Sequence, residues 1–313
     1  MHGPKKLISV VIPCFNEEEN IENTYKVVKE IVSKIPKYAF EIVFVDNGSE
    51  DRSAELMKKL AEQKEGVVAV LLSRNFGPES SGLAGLTQAK GDAVVLMAAD
   101  LQDPPELIPE FIEKWEEGFD MVLGQVKSTH DGKVMLAIRR GFYRFLRRTS
   151  YIDIPLNVTG FGLIDRKVND AIVAMPERSR FYRGLLALAG FKQAYVQFVR
   201  PERQFGKTSY NFMGYIKHAE KGLFSFTTVP LDTITFLGVI LVGLSVLAII
   251  VYLFWVFVFG NPITGSITLF LSIVFFGSMN LLAVSIVGKY IGIIFEEAKN
   301  RPHFIVREVV EKE

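Results

Sequence analysis

From Thr233 to Gly288 the chain runs for 56 residues without one charged side chain. A helix that crosses the hydrocarbon of a bilayer needs about 20 apolar residues. The block therefore holds two, at about 231–259 and 266–294. The uncharged turn Gly260-Asn261-Pro262-Ile263-Thr264-Gly265 separates them. The flanks are basic: Lys217, His218 and Lys221 precede the block, and Lys289, Lys299 and Arg301 follow it. By the positive-inside rule both flanks face the cytoplasm and the turn lies outside. This predicts a multi-pass protein of the inner (plasma) membrane with both termini cytoplasmic. The competing explanation is a very apolar hairpin buried inside a soluble domain.

Residues 1–232 have the composition of a soluble α/β protein. Across all 313 residues the net charge is +1, which gives no pull toward nucleic acid, so no nucleic-acid partner is expected. The lone cysteine, Cys14, cannot form an internal disulfide and suits a reducing compartment. The N-terminal run Met1–Pro13 has two lysines but only a short apolar stretch, so no signal peptide is read there.

Four short apolar runs read as strands buried on both faces: Leu7–Pro13, Glu41–Val45, Val67–Leu72 and Ala93–Met97. Helical patterns separate them. Asn16 is placed as a helix N-cap with Glu19 at the capping-box position, and a second helix begins near Asp51–Ser53. A small-residue helix is expected near Ser81–Ala89. Such alternation predicts an open, doubly wound, mostly parallel sheet. Each strand carries polar residues just past its C-terminal end: Asn16 and Glu17, Asp46 and Asn47, Arg74 and Asn75, Asp100 and Gln102. Ligands of doubly wound sheets bind at those ends. No glycine-rich dinucleotide fingerprint or P-loop is present.

The fourth strand runs into Asp100, Gln102 and Asp103, then Pro104 and Pro105, where a helix to Glu117 begins. Oxygen ligands at such an edge suit Mg²⁺ or Mn²⁺ holding a diphosphate. The plain alternative is an acidic strand-to-helix turn with Asp103 as N-cap.

The motifs PCFNEEENI (13–21), EIVFVDNGSEDRS (41–53), LSRNFGPESSGLAGL (72–86), ADLQDPPELIP (99–109), PERSRFYRGLLALAGF (176–191) and RQFGKTSYNF (203–212) stand in one order, ahead of two spans and the tail KYIGIIFEEAKNRP (289–302). Together they resemble the family 2 inverting glycosyltransferases of the polyprenyl-phosphate type, related to dolichol-phosphate mannose synthase and the bactoprenol glucosyltransferases. The resemblance implies a GT-A-like fold and transfer of a sugar from a nucleotide-diphosphate sugar to a polyprenyl phosphate in the membrane. UDP-glucose is the default donor, and the product would feed cell-envelope glycan or glycoconjugate synthesis. In that pattern Pro13, Phe15, Asn16, Glu17, Val45, Asp46 and Asn47 hold base and ribose. Asn75, Ala99, Asp100, Gln102, Arg203 and Lys207 complete the nucleotide-sugar site, with Asp100 and Gln102 as metal ligands. A homo-oligomer, a tetramer in the family, is a further implication. For Arg203 a solvated loop position is the alternative.

Two departures stand out. Ala98 replaces the first carboxylate of the usual Asp-x-Asp pair, and Asn47 replaces a second Asp. Gly160 and Gly162 stand where many relatives carry Asp and Arg. The second loss is tolerable, because a phosphate monoester has its second pKa near 6 and is already an anion at neutral pH. The task becomes holding two anions together, which needs cations. The segment Lys133–Arg148 supplies them between Leu136, Phe142, Tyr143, Phe145 and Leu146, in the manner of a basic helix lying on a membrane surface. Lys127, Arg140 and Arg144 are the candidate ligands of the acceptor phosphate, the two arginines also counted as catalytic. A solvated basic face is the alternative.

A second amphipathic stretch, Tyr210–Phe226, leads into the first span. The expected organisation is a cytoplasmic catalytic domain at 1–209, an interfacial helix at 210–230, the hairpin at 231–294 and a cytoplasmic tail at 295–313. The alternative function is a catalytically weak or dead homologue acting as a nucleotide-sugar and lipid-phosphate binding or scaffold protein, supported by Ala98 and Gly160. A processive polysaccharide synthase would show a Q-x-x-R-W signature, and neither Trp115 nor Trp255 sits in one. A transporter would need polar groups in its spans.

Overall fold

The computed structural model describes residues 5–128, 141, 157–178, 180–201, 227, 229–259 and 266–312. The expected basic helix at 133–148, the interfacial stretch at 210–226 and the turn at 260–265 lie outside these residues.

The first strand, β1 (Leu7–Cys14), is buried along almost its whole length and pairs in parallel with β2 (Ala39–Asp46) on one side. Its other neighbour is β4 (Ala93–Leu96), also parallel, while β3 (Val67–Leu72) lies parallel beyond β2. Strands covered on both faces need nearly continuous apolar sequence, and the polar residues inside the run, Ser9 on β1 and Glu41 on β2, bond each other at 2.5 Å. Helices α1 (Ile21–Ser33), α2 (Ser53–Gln63) and α3 (Pro78–Gln88) make the crossovers. The order β4-β1-β2-β3 reverses direction between β1 and β4, which opens a crevice at the C-terminal ends of those two strands.

The remaining strands make the sheet mixed. After a 3₁₀ turn (Pro105–Leu107) and α4 (Ile108–Glu116) come β5 (Met121–Ser128) and β6 (Val158–Asp165). Strand β6 runs antiparallel to both β4 and β5 and so joins the two halves. Helices α5 (Arg166–Ala174) and α6 (Tyr182–Ala189) then lead to β7 (Gln193–Val199), parallel to β5. Gly162 sits where β6 is squeezed between its neighbours. A Cβ there would lie 2.4 Å from the carbonyl oxygen of Val122. An arginine like that of many relatives cannot be built onto this backbone.

Helices α7 (Val229–Phe259) and α8 (Ser266–Ala298) cover both expected spans, and α8 runs beyond the expected 294. With 31 residues, α7 is about 46 Å long. Both are long and apolar enough to cross a bilayer, and their apolar side chains face outward, Phe257 being 90% exposed. The segment after them returns to the sheet. Asn300, in the left-handed region at φ 46, follows the end of α8. Strand β8 (Val306–Glu311) then adds antiparallel to the free edge of β3, giving the order β7-β5-β6-β4-β1-β2-β3-β8. Lys58 meets Glu308 at 2.5 Å and Lys90 meets Glu311 at 2.8 Å. Near the end of α8, Glu297 accepts from the backbone N–H of Arg178 at 2.7 Å, and the Arg178 guanidinium donates to Asn300 Oδ1 and the Arg301 carbonyl.

Candidate active site

The tips of β1, β2 and β3 are knitted by side chains that bind each other's main chain. Asn16 takes a left-handed conformation, φ 55, and its Oδ1 accepts from the Glu50 N–H at 2.9 Å. It is therefore not a helix cap. Asparagine suits both roles, and here α1 begins only at Ile21. Ser49 Oγ accepts from the Asn16 N–H at 3.0 Å, and Ser53 Oγ from the Glu17 N–H at 2.9 Å. Asn47 is buried, donates to Asn75 Oδ1 at 3.1 Å, and accepts from the Phe76 N–H at 3.0 Å. Pro13 and Val45 lie side by side in the β1–β2 register, as do Cys14 and Asp46. Phe15 is half-buried beside them. The turn is tight at Gly48, φ 72, where a Cβ would meet the Arg74 backbone at 2.4 Å. Only glycine fits there.

Asp46 is 1% exposed. Its Oδ1 accepts from the Ser49 N–H at 3.0 Å, while Oδ2 is buried with no hydrogen-bond partner among the described residues. A buried acceptor left unpaired is costly and marks a place for a donor from outside the chain. Burial raises the Cys14 thiol pKa, and the negative charges of Glu17, Asp46 and Asp51 raise it further, so the thiol is inert. A cavity of about 150 Å³ lined by Asn16, Glu17, Glu18, Glu19, Asn20 and Asp51 opens at this side. Its acidity suits neutral or cationic groups and repels phosphate.

The β4 tip lies further along the rim. Ala99 is buried, and its carbonyl accepts from Thr24 Oγ1 at 2.6 Å, which pins the turn to α1. Asp100 is 9% exposed, and its Oδ1 accepts from the Gln102 N–H at 3.2 Å. Between them Leu101 is forced to φ 55, a strain of about 1–3 kcal/mol for a branched side chain. Such strain persists where surrounding contacts over-determine the backbone. Asp103 supplies one, its Oδ2 accepting from the Ala98 N–H at 3.0 Å. It is thus not the N-cap of the sequence alternative; the helical turns that follow begin after Pro104 and Leu107. Burial raises its pKa, against the lowering effect of Arg200 and of the Ala98 hydrogen bond.

Among the described residues no three His, Cys, Asp or Glu side chains group closely enough to hold a metal alone. Mg²⁺ commonly uses one or two carboxylates together with substrate phosphates. Asp100, oriented by its own turn, fits that sparse role. Gln102 stands beside it, with its Nε2 donating to the Pro201 carbonyl at 3.4 Å.

Of the acceptor-side candidates, Lys127 is exposed near the end of β5, on the same rim as the β4 tip. Arg140, Arg144, Arg203 and Lys207 lie outside the described residues. Gly160 opens the β6 strand at this rim, and a Cβ there would lie 3.5 Å from the Tyr182 ring. Asp165 sits at the opposite end of the sheet, paired with Ala93. It accepts from Trp115 Nε1 at 2.8 Å and caps α5 through the Lys167 N–H at 3.0 Å. Sequence reasoning gave no role to Ser49 and Ser53, which hold the turns, or to Arg183 and Arg200, which stand on α6 and past β7, and it read Asp103 only as an edge oxygen or an N-cap. None belongs to a periodic pattern, and only the fold brings them to the rim.

The family model described as Glycosyl transferase family 2 matches residues 9–173. The SfII prophage-derived bactoprenol glucosyl transferase of Shigella flexneri is 39% identical over 302 residues, 96% of this chain and 97% of that protein. An uncharacterized glycosyltransferase of Synechocystis sp. is 37% identical over 303 residues, 96% of this chain and 95% of the relative. Among solved structures, mannosyl-3-phosphoglycerate synthase from Rubrobacter xylanophilus is similar at 18% identity and a TM-score of 0.47, over 69% of this chain and 71% of that one.

Proposed function

The chain belongs to glycosyl transferase family 2 and is a glycosyltransferase, and from that premise we propose that it moves glucose from UDP-glucose to a polyprenyl phosphate in the membrane, with inversion. The unpartnered, buried Oδ2 of Asp46 carries this reading. An acceptor fixed at the end of β2, in a hydrogen-bonded cradle, suits the N–H of a nucleotide base. Asn16, Glu17, Asn47 and Asn75 frame the base and ribose around it, and Pro13, Phe15 and Val45 offer apolar contact. The diphosphate then runs toward Asp100, Ala99 and Gln102, away from the acidic pocket. A Mg²⁺ or Mn²⁺ ion held by Asp100, with Gln102 beside it, would neutralise the departing diphosphate. Arg203 and Lys207 are assigned to the same phosphates.

The acceptor is a phosphate monoester, ionised at neutral pH. One of its oxygens forms a bond to the sugar's anomeric carbon as the bond from that carbon to the UDP oxygen breaks, and UDP leaves with the electron pair. No proton has to be removed first. A side chain at Gly160 is therefore dispensable, and Lys127, Arg140 and Arg144 answer the acceptor's charge. The name of the Shigella relative supports both glucose and a prenol-type acceptor. Helices α7 and α8 would span the bilayer with both termini in the cytoplasm and bring the rim to the lipid. Reporter fusions at Met1 and Glu313 should both report cytoplasm.

The deciding experiment incubates the purified chain with a panel of nucleotide sugars and undecaprenyl phosphate and reads lipid products by mass spectrometry. A hexosyl-phosphoryl-undecaprenol product from UDP-glucose is expected. Binding of UDP with no lipid product from any donor would favour the non-catalytic binding protein instead.

A further inference from the structure

Across the crevice from the Asp100 turn stand two arginines with no part in the reading above. Arg200 directly follows β7. Its neighbour Pro201 accepts the Gln102 amide at 3.4 Å, which sets the end of β7 against the Asp100–Asp103 turn. Arg183 is the second residue of α6, next to Tyr182, whose ring lies against Gly160 at the head of β6. Both guanidinium charges act on one carboxylate, Asp103, which also feels Asp100. Asp103 is held in place by the Ala98 N–H. The Nε of Arg200 is buried and has no hydrogen-bond partner among the described residues. A buried guanidinium N–H without an acceptor is costly, and planar guanidinium forks match phosphate oxygens two at a time.

We propose that Arg183 and Arg200 form a phosphate clamp on the β7 side of Asp100. The inference rests on the transferase reading. The ligand chemistry is a phosphate oxygen, either of the donor's diphosphate or of the acceptor's monoester.

The test uses the full chain in detergent micelles, as Arg183→Met, Arg200→Met and the corresponding Lys variants. Dissociation constants for uridine and UDP are measured, together with KM for undecaprenyl phosphate. If the clamp holds the donor, UDP binding weakens at least about tenfold while uridine binding stays within twofold. If it holds the acceptor, UDP binding is unchanged and the acceptor KM rises at least about tenfold. Values within twofold in both arms overturn the clamp, as does a parallel loss of uridine and UDP, which marks a structural role. Where a Met variant fails to fold, the Lys variant decides. It keeps the charge and loses the fork, so one of the two phosphate readouts should move about threefold or more, and no movement overturns the proposal. Wild-type protein that neither binds UDP nor transfers sugar defeats the transferase reading and the clamp with it. Wild-type protein that does both, beside indifferent arginine variants, defeats the clamp alone.

Discussion

The two halves of the sheet meet the same rim in different ways. On the β1–β3 side, amides, hydroxyls and carboxylates fasten one another's backbones, and Asn16, Asn47, Ser49 and Asp46 form a closed mesh with a single buried acceptor left over. The β5–β7 side adds long cations, Lys127, Arg183 and Arg200, to neutral polar residues such as Gln125, Thr159 and Gln197. The first half is built to read the shape and donors of a small group. The second is built to answer charge. On the proposed reading, an enzyme that takes a sugar from a nucleotide donor and passes it to a prenyl phosphate needs that division, since the base has hydrogen-bonding features and the prenyl phosphate offers little besides its charge.

The halves are joined by β6, and the most severe test is at that joint. Gly162→Arg places atoms into the Val122 carbonyl and should cost about 3 kcal/mol or more. The expected outcome is no folded protein in a thermal melt, and a normal melt would mean that β6 is not pinned between β4 and β5. Next in size is Gly48→Ala, which meets both an unfavourable φ and the Arg74 backbone. It should lower stability by about 2 kcal/mol and weaken UDP binding, leaving the acceptor KM alone. An equal loss on both substrates would erase the distinction between the halves.

Asp100→Asn should cut transfer at least about tenfold, or about 1.4 kcal/mol, with the fold intact. Chelation with EDTA should do the same to the wild type, and added Mg²⁺ or Mn²⁺ should restore it. Smaller still is Asp165→Asn. Asparagine keeps a capping oxygen and caps about as well as aspartate, so stability should fall by less than about 1 kcal/mol. The pH–rate curve, rising through about pH 6 with the acceptor's second ionisation and then levelling, should keep its shape. A limb that disappears in this variant would assign a proton transfer to a residue at the far end of the sheet.

The smallest expected effect is at the return from α8 to β8. Burial lowers the His303 pKa below its ordinary 6.5, and Arg178 and Arg180 lower it further, while Glu297 opposes them. The folded protein then binds fewer protons than the unfolded one in this window, so its stability falls as pH drops below about 6.5. Protease cleavage near residue 303 should be faster at pH 5.5 than at pH 8 in the wild type and independent of pH in His303→Gln.

The β1–β4 half was legible in the sequence because each buried strand is a short, mostly apolar run that ends in polar residues. The helix boundary at Asn16 was misread because one side chain serves two turn geometries. Strand β8 escaped because Val306–Glu311 pairs with β3 across the whole hairpin, and a partner that distant leaves no local pattern. The mixed half was hidden for a related reason. Residues 158–165, with two glycines, look weakly strand-like alone, and only the close approach of β4 and β5 explains them. Arg183 and Arg200 stand in no periodic pattern that would single them out.

Strand β8 also bears on how the chain is made. Lys58 waits for Glu308, 250 residues later. At a synthesis rate of about 5–20 residues per second, the edge of β3 stays uncapped for roughly ten to fifty seconds while the hairpin is translated. An open edge is the surface through which sheets aggregate. Completion of the sheet is thus tied to translation of the two long apolar helices, and a chain interrupted before its last strand keeps that edge open.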